Sequence, residues 1–283
     1  MQTEVSRQRG RSRAIWADSH TDATDRMKRR IFANAIAARS ALILTVALAG
    51  LGAGSCSQPE ERKATTAQAG PSWVMPPQIE SVERTSSGLQ VRGRASPQGR
   101  VVLRSVGGIA YAVGADGRGR FDLQIRAPAT DTLFLVEAQN GQEASPAPYQ
   151  MLVSHDPNGP IALLSSGAAT RRMGRAGPLD VVDSDGHALL ASGRATPRSM
   201  VSVSAAGRPA LQARVGADGR WNVTLTSEGA GPADIIVAGR RYTYPGPALG
   251  DTGALAIVSN PQGWSVSWPI PPKSRQGSWF PAQ

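Results

Sequence analysis

An all-β chain is predicted, built as two tandem β-sandwiches behind an N-terminal signal segment. Three observations lead there: an internal repeat about 100 residues apart, period-two alternation within each copy, and heavy Gly and Pro punctuation. Gly and Pro number 31 and 21 of 283 residues, which disfavours long helices and suits short strands joined by turns. The sandwiches are expected at 76–165 and 170–272. A leader (1–26), an export signal (27–55) and a flexible tether (56–75) precede them, and a C-terminal tail (273–283) follows.

The repeat is read by self-comparison. LQVRGRASPQGRVVLRS (89–105) aligns without a gap on LLASGRATPRSMVSVSA (189–205), sharing Gly93/Gly193, Pro97/Pro197 and Val101/Val201. Downstream, VGADGRGRF (113–121) matches VGADGRW (215–221), a shift of the offset from 100 to 102 that implies insertions beside the turn.

Each copy reads as strands. Phe121, Leu123 and Ile125 alternate with polar residues, as do Trp221, Val223 and Leu225. Period two puts the apolar set on one buried face, so Phe121 and Trp221 are the expected aromatic anchors. Asp116-Gly117 and Asp218-Gly219 fall between apolar runs, where Asp-Gly favours the positive φ of a tight hairpin. Pro97 and Pro197 suit strand-to-strand turns, because Pro cannot donate to a central ladder. His155-Asp156-Pro-Asn-Gly reads as the turn between the two units.

The tail end of the second unit differs. ALAIVSNPQGWSVSWPIPP (254–272) predicts a strand, a turn and a second strand with Trp264, Val266 and Trp268 on one face. A terminal hairpin completing the second sandwich is the expectation. An aromatic platform for a glycan is the alternative.

The formal charge of +10 is not a nucleic-acid signature once partitioned. Residues 1–55 carry nine Lys/Arg and four Asp/Glu, 76–165 carry eight and eight, and 170–272 carry ten and seven. The arginines are scattered along strands without a concentrated basic run or interleaved aromatics, so no nucleic-acid partner is expected.

Residues 27–56 form one unit: Met27-Lys28-Arg29-Arg30, an apolar stretch, then SALILTVALAGLGAGS (40–55) ending at Cys56. A basic start, a short apolar run and small residues before the cleavage point make a secretory signal. Sixteen helical residues rise about 24 Å, short of a ~30 Å hydrocarbon core. The first 26 residues hold Glu4, Asp18, Asp22 and Asp25 and do not fit a signal, which makes Met27 the expected start.

Ala53-Gly54-Ser55-Cys56 resembles the bacterial lipobox, with Ala53 where Leu is usual. That resemblance implies a diacylglycerol on Cys56, the only Cys in the chain, and an outer-membrane address facing the periplasm or the surface. Gly93-Arg-Ala-Ser-Pro97…Val101 with Ala115-Asp116-Gly117…Phe121 resembles the bacterial immunoglobulin-like repeats of surface and secreted proteins. Gly193-Arg-Ala-Thr-Pro197…Val201 with Ala217-Asp218-Gly219-Arg-Trp221 does so more closely. The resemblance covers roughly 170–200 of the 228 residues after Ser55 and implies fold rather than activity. Calcium-dependent relatives cluster Asp at domain junctions, where this chain has isolated acids such as Asp156 and Asp180.

No catalytic set, metal site or cofactor is expected. Three His are far apart, at His20, His155 and His187, and no Gly-x-Ser-x-Gly elbow, zinc motif or phosphate loop occurs. The functional expectation is a lipid-anchored cell-envelope protein with non-catalytic binding or spacer modules, partnered by the membrane and by an envelope protein or glycan. Two alternatives fit the same residues: an accessory subunit of an envelope polysaccharide or peptidoglycan system, and a signal-anchored inner-membrane protein with a cytoplasmic leader.

Overall fold

The computed structural model describes residues 75–140, 143–175, 177–205, 207–225, 230–248, 254–270 and 274–283. Strands and turns, and no helix, make up the described residues. The first nine strands are β1 (Gln78–Thr85), β2 (Gly88–Arg94), β3 (Arg100–Ser105), β4 (Ala110–Gly114), β5 (Arg120–Ile125), β6 (Thr132–Asn140), β7 (Glu143–Val153), β8 (Ile161–Leu164) and β9 (Arg171–Arg172). Five more are β10 (Val181–Ser184), β11 (Leu189–Arg194), β12 (Met200–Ala205), β13 (Leu211–Arg214) and β14 (Arg220–Leu225). The last are β15 (Ala233–Val237), β16 (Arg240–Tyr244), β17 (Ala256–Asn260), β18 (Gly263–Ile270) and β19 (Ser274–Pro281).

Among the described residues all pairings are antiparallel, in four sheets. Sheet A runs β1-β2-β5, sheet B β4-β3-β6-β7-β8-β9, sheet C β14-β11-β10-β19-β18-β17, and sheet D β13-β12-β15-β16. Three apolar cores lie between them. The first takes Leu89, Phe121 and Ile125 from A and Leu103, Phe134, Met151 and Leu163 from B. The second takes Val182, Leu189, Trp221 and Trp279 from C and Val203, Ile235 and Tyr244 from D. A third joins the outer faces of B and C through Leu133, Leu152, Ala162 and Leu164 against Val181, Val266, Trp268 and Phe280. The result is a four-layered β stack.

The alternation explains how one strand serves two cores. In β8, Ile161 and Leu163 face the first core while Ala162 and Leu164 face the third. In β19, Trp279 enters the second core and Phe280 the third. Strands covered on both faces read as unbroken apolar runs, here Met151-Leu-Val153 and Ile161-Ala-Leu-Leu164. Each large side chain buried in this way contributes roughly 1.5–3 kcal/mol, so the third core is a substantial clamp between the layers.

Several sequence expectations need correction. The Asp-Gly turns are not hairpins: β4 belongs to sheet B and β5 to sheet A, and β13 and β14 are likewise in different sheets. The turn therefore carries the chain across a core. Its positive-φ glycines are Gly119 (φ 76°) and Gly219 (φ 78°), and Gly117 is not among them. Gly119 N–H donates to Asp116 O as Gly219 N–H donates to Gly216 O, and Asp116 N–H and Gly216 N–H donate to Arg120 O and Arg220 O. The backbones thus correspond at an offset of 100 through this turn and into β5 and β14. The shift to 102 matched similar letters rather than equivalent positions, because the structure needs its glycine where the left-handed residue falls, not after the Asp.

The His155 to Gly159 segment turns β7 into β8 within sheet B, since the two strands pair with each other. The first unit accordingly extends past 165, through β9 to Met173, which lies in the first core. Residues assigned to a tail form β19, inserted between β10 and β18. The hairpin of β17 and β18 forms as expected from its turn, with Asn260 opposite Gly263. Its Trp268 and Val266 face sheet B in the third core rather than filling the second.

Candidate functional site: an arginine-lined groove beside the third core

The chain passes from sheet B to sheet C between Met173, in the first core, and Asp180, next to Leu179 of the second. Arg194, on β11, holds this crossing down: its Nη1 donates to Gly174 O at 2.9 Å and its Nη2 to Arg172 O at 2.5 Å. Its Nε donates to Asp180 Oδ2 at 2.9 Å. Arg220, directly opposite Arg194 on β14, comes within 3.6 Å of the same oxygen. Two like charges paired across a ladder repel, and the Asp180 carboxylate they share offsets part of that repulsion. Burial pushes the Asp180 carboxyl above its ordinary value, against the pull of Arg194, Arg220 and Arg172.

Deeper between the sheets lies a polar latch. Thr170 N–H donates to Asp183 Oδ2 at 2.8 Å, Ser278 Oγ–H to Asp183 Oδ1 at 2.6 Å, and Trp268 Nε1–H to Ser278 Oγ at 3.3 Å. One partner comes from sheet B's connection and the rest from sheet C, so the latch fixes the register of the two layers. Burial also raises the Asp183 carboxyl, opposed by these hydrogen bonds.

Outside these contacts a groove of about 930 Å³ opens, lined by Arg84, Arg172, Arg175 and Trp264 among others, with Glu83 its one acidic side chain. Arg84 donates to the carbonyls of Ser154 and Asp156 at 2.8 and 3.0 Å. Arg172 donates to Pro281 O at 2.9 Å and stacks over Phe280 at 5.8 Å. A second hollow of about 420 Å³ shares Arg175, Ala282 and Gln283 and adds Arg194, Arg240 and Tyr242. Arg240 stacks on the Tyr242 ring at 5.0 Å. Among the described residues, neither Arg175 nor Arg240 has an acidic partner. The Tyr242 hydroxyl is buried without a hydrogen-bond partner.

The sequence-predicted positions lie elsewhere and serve the frame. Gly93 stands opposite Phe121 and Gly193 opposite Trp221, and both aromatics are buried. Pro97 and Pro197 open turns whose next residues, Gln98 and Arg198, take φ of 59° and 66°. Asp116 caps its turn through the N–H groups of Arg118 and Arg120, both at 2.8 Å. Asp218 accepts from Arg220 N–H at 3.1 Å. Cys56 lies outside the described residues.

Ser154, His155 and Asp131 do meet, but not in the order of a nucleophilic relay. Ser154 Oγ–H donates to Asp131 Oδ1 at 2.9 Å, and His155 Nδ1 contacts the same oxygen at 2.8 Å. The hydroxyl is fully buried and points at the carboxylate rather than the imidazole. Among the described residues, no group of three or more His, Cys, Asp or Glu gathers to hold a metal ion.

Sequence reasoning noticed Trp264 but not the arginines. They come from positions 84 to 240 and meet only through long-range pairing; their one local sign is that Arg175 and Arg240 have no acid three or four residues away. No family model matches the chain, and no curated protein matches it.

Proposed function

We propose that this is a lipid-anchored cell-envelope protein whose two immunoglobulin-like β-sandwiches act together as a stiff, non-catalytic binding and spacer module. What supports the immunoglobulin-like reading is the strand order. Strands β1-β2-β5 oppose β4-β3-β6-β7, and β10-β11-β14 oppose β13-β12-β15-β16, the same Greek-key arrangement met twice in chain order. The third core supports the stiffness, since a module whose layers share apolar packing transmits position rather than swinging on a linker. Sandwiches also present loops and edges for contact without needing a cofactor.

The anchor rests on the signal-like run 27–55 and on Cys56 as the only thiol. Intact mass of membrane-purified protein tests it. A chain beginning at Cys56 and carrying acyl groups is expected, and Cys56→Ser should move the protein to the soluble fraction or leave an uncleaved precursor. An unmodified mass with unchanged fractionation overturns the anchor. A mass that retains residues 1–55 favours the signal-anchored alternative.

A further inference from the structure

We infer that the groove beside the third core binds a carboxylate-bearing saccharide chain. The inference deepens the envelope-module reading and rests on it for the choice of ligand. Four features of the groove converge on that chemistry.

The first is charge without a partner. Arg194 and Arg220 share the Asp180 carboxylate. Arg175 and Arg240 have none among the described residues. Their forked donors suit a carboxylate in bidentate geometry. Stacking on Tyr242 holds the Arg240 guanidinium in place before any ligand arrives.

The second is the orphaned Tyr242 hydroxyl. A buried hydroxyl without a partner is destabilising, a penalty that an incoming acceptor would remove. It lies beside Gly177, where even a Cβ would come within 3.7 Å of the hydroxyl and 3.9 Å of Arg240 Nη1.

The third is Trp264. It packs against the third core on one side and lines the larger hollow on the other. An indole face receives the C–H face of a sugar ring while ring hydroxyls turn outward to polar groups. A simple anion has no use for it.

The fourth is shape. The two hollows adjoin at Arg175, Ala282 and Gln283, with Trp264 lining the larger and Arg240 the smaller. A chain of sugars with carboxylates at intervals meets both. A compact ion meets one.

Calorimetry on the purified full chain at low salt, with hexagalacturonate as the probe, tests this. Saturable binding is expected, with no binding of neutral maltohexaose. The Arg175→Gln/Arg240→Gln double variant, both positions being exposed, should raise Kd at least tenfold. Tyr242→Phe should raise Kd several-fold while leaving Tm unchanged or higher, a combination that a purely structural tyrosine would not give. Absence of binding, affinity untouched by the double variant, or equal affinity for hexaglutamate or inorganic phosphate overturns the proposal. Because the assay uses protein in solution, its failure leaves the anchor unaffected, and loss of the anchor leaves the groove's binding to be read as measured.

Discussion

Gly193 and Trp221 stand opposite one another across the β11–β14 ladder, and the indole lies over the glycine. A Cβ at Gly193 would come 2.7 Å from Trp221 Cζ2 and 1.9 Å from Pro178 O. Gly93 and Phe121 repeat the arrangement, with 2.8 Å to Phe121 Cζ and 2.0 Å to Gln78 O. The ring covers backbone that a glycine leaves bare, and the glycine admits a ring that any other residue would push away. Gly193→Ala should therefore lower stability by about 2–3 kcal/mol through overpacking. Trp221→Ala should lower it by about 3–5 kcal/mol by emptying the second core. Denaturant unfolding of each variant decides; a Gly193→Ala protein as stable as the parent would break the pairing.

The crossing turn gives a sharper contrast. Gly119 has φ of 76°, and a Cβ there would sit 2.4 Å from Ala95 O, whereas a Cβ at Gly117 meets nothing within 4 Å. Gly119→Val should cost about 2 kcal/mol or more, combining the left-handed strain with the clash. Gly117→Val should stay within about 0.5 kcal/mol, as an open surface change does. Thermal unfolding of the two variants side by side checks the equivalence of Gly119 and Gly219, and the reverse order of effects would restore Gly117 as the turn glycine.

What could be read from the chain follows from the range of the interactions. Alternation around Phe121 and Trp221 is local, so their burial and the strands that carry them were visible as a pattern. The third core was not, because Leu152, Ala162, Leu164 and Val181 differ in no local respect from residues that face a strand's own sandwich. Only an unbroken apolar run hinted that both faces were covered. Residues 274–281 looked like a tail because Ser274, Arg275, Gln276 and Gly277 carry no apolar alternation. Their strand is set by pairing: along its whole length with the neighbouring β18, and over three residues with β10, about 95 residues upstream. The groove lies further still from view, since Arg84 on β1 and Arg240 on β16 come to line adjoining hollows only when all four sheets stack.

One ion pair occurs in two environments. Arg94 Nε contacts Glu80 at 2.8 Å with both side chains more than half exposed, while Arg194 Nε contacts Asp180 at 2.9 Å with the carboxylate nearly sealed. The positions correspond at the offset of 100, and the difference is the crossing segment held over the second pair. Glu80→Ala should change stability by less than about 1 kcal/mol, as exposed pairs do. Asp180→Ala should cost about 3 kcal/mol, because it leaves Arg194 and Arg220 facing each other without a counter-charge. Equal effects in urea unfolding would show that the covering segment does not seal the site.

The latch at Asp183 makes stability depend on pH in a direction opposite to that of the surface carboxylates. Burial raises the Asp183 carboxyl above its ordinary value, so the folded chain takes up this proton at a higher pH than the unfolded chain, whose value is about 3.9. The contribution is fully present below about pH 4 and is lost as pH rises through the folded value. Asp116, Asp122, Asp131 and Asp185 are instead lowered. What they contribute is kept above about pH 4 and lost only as pH falls further, which leaves the range from pH 4 to 7 to the buried groups. In Asp183→Asn the side-chain oxygen still accepts from Thr170 N–H, and the amide donates to Ser278 Oγ, so the latch closes without a titrating group. The Tm of the variant relative to the parent should climb between pH 4 and pH 7. Asp180, which titrates with the same sign, is present in both proteins and drops out of the difference. A relative Tm that stays flat or falls over that range would mean that Asp183 remains charged in the fold at acid pH, held by Ser278 and Thr170 against its burial.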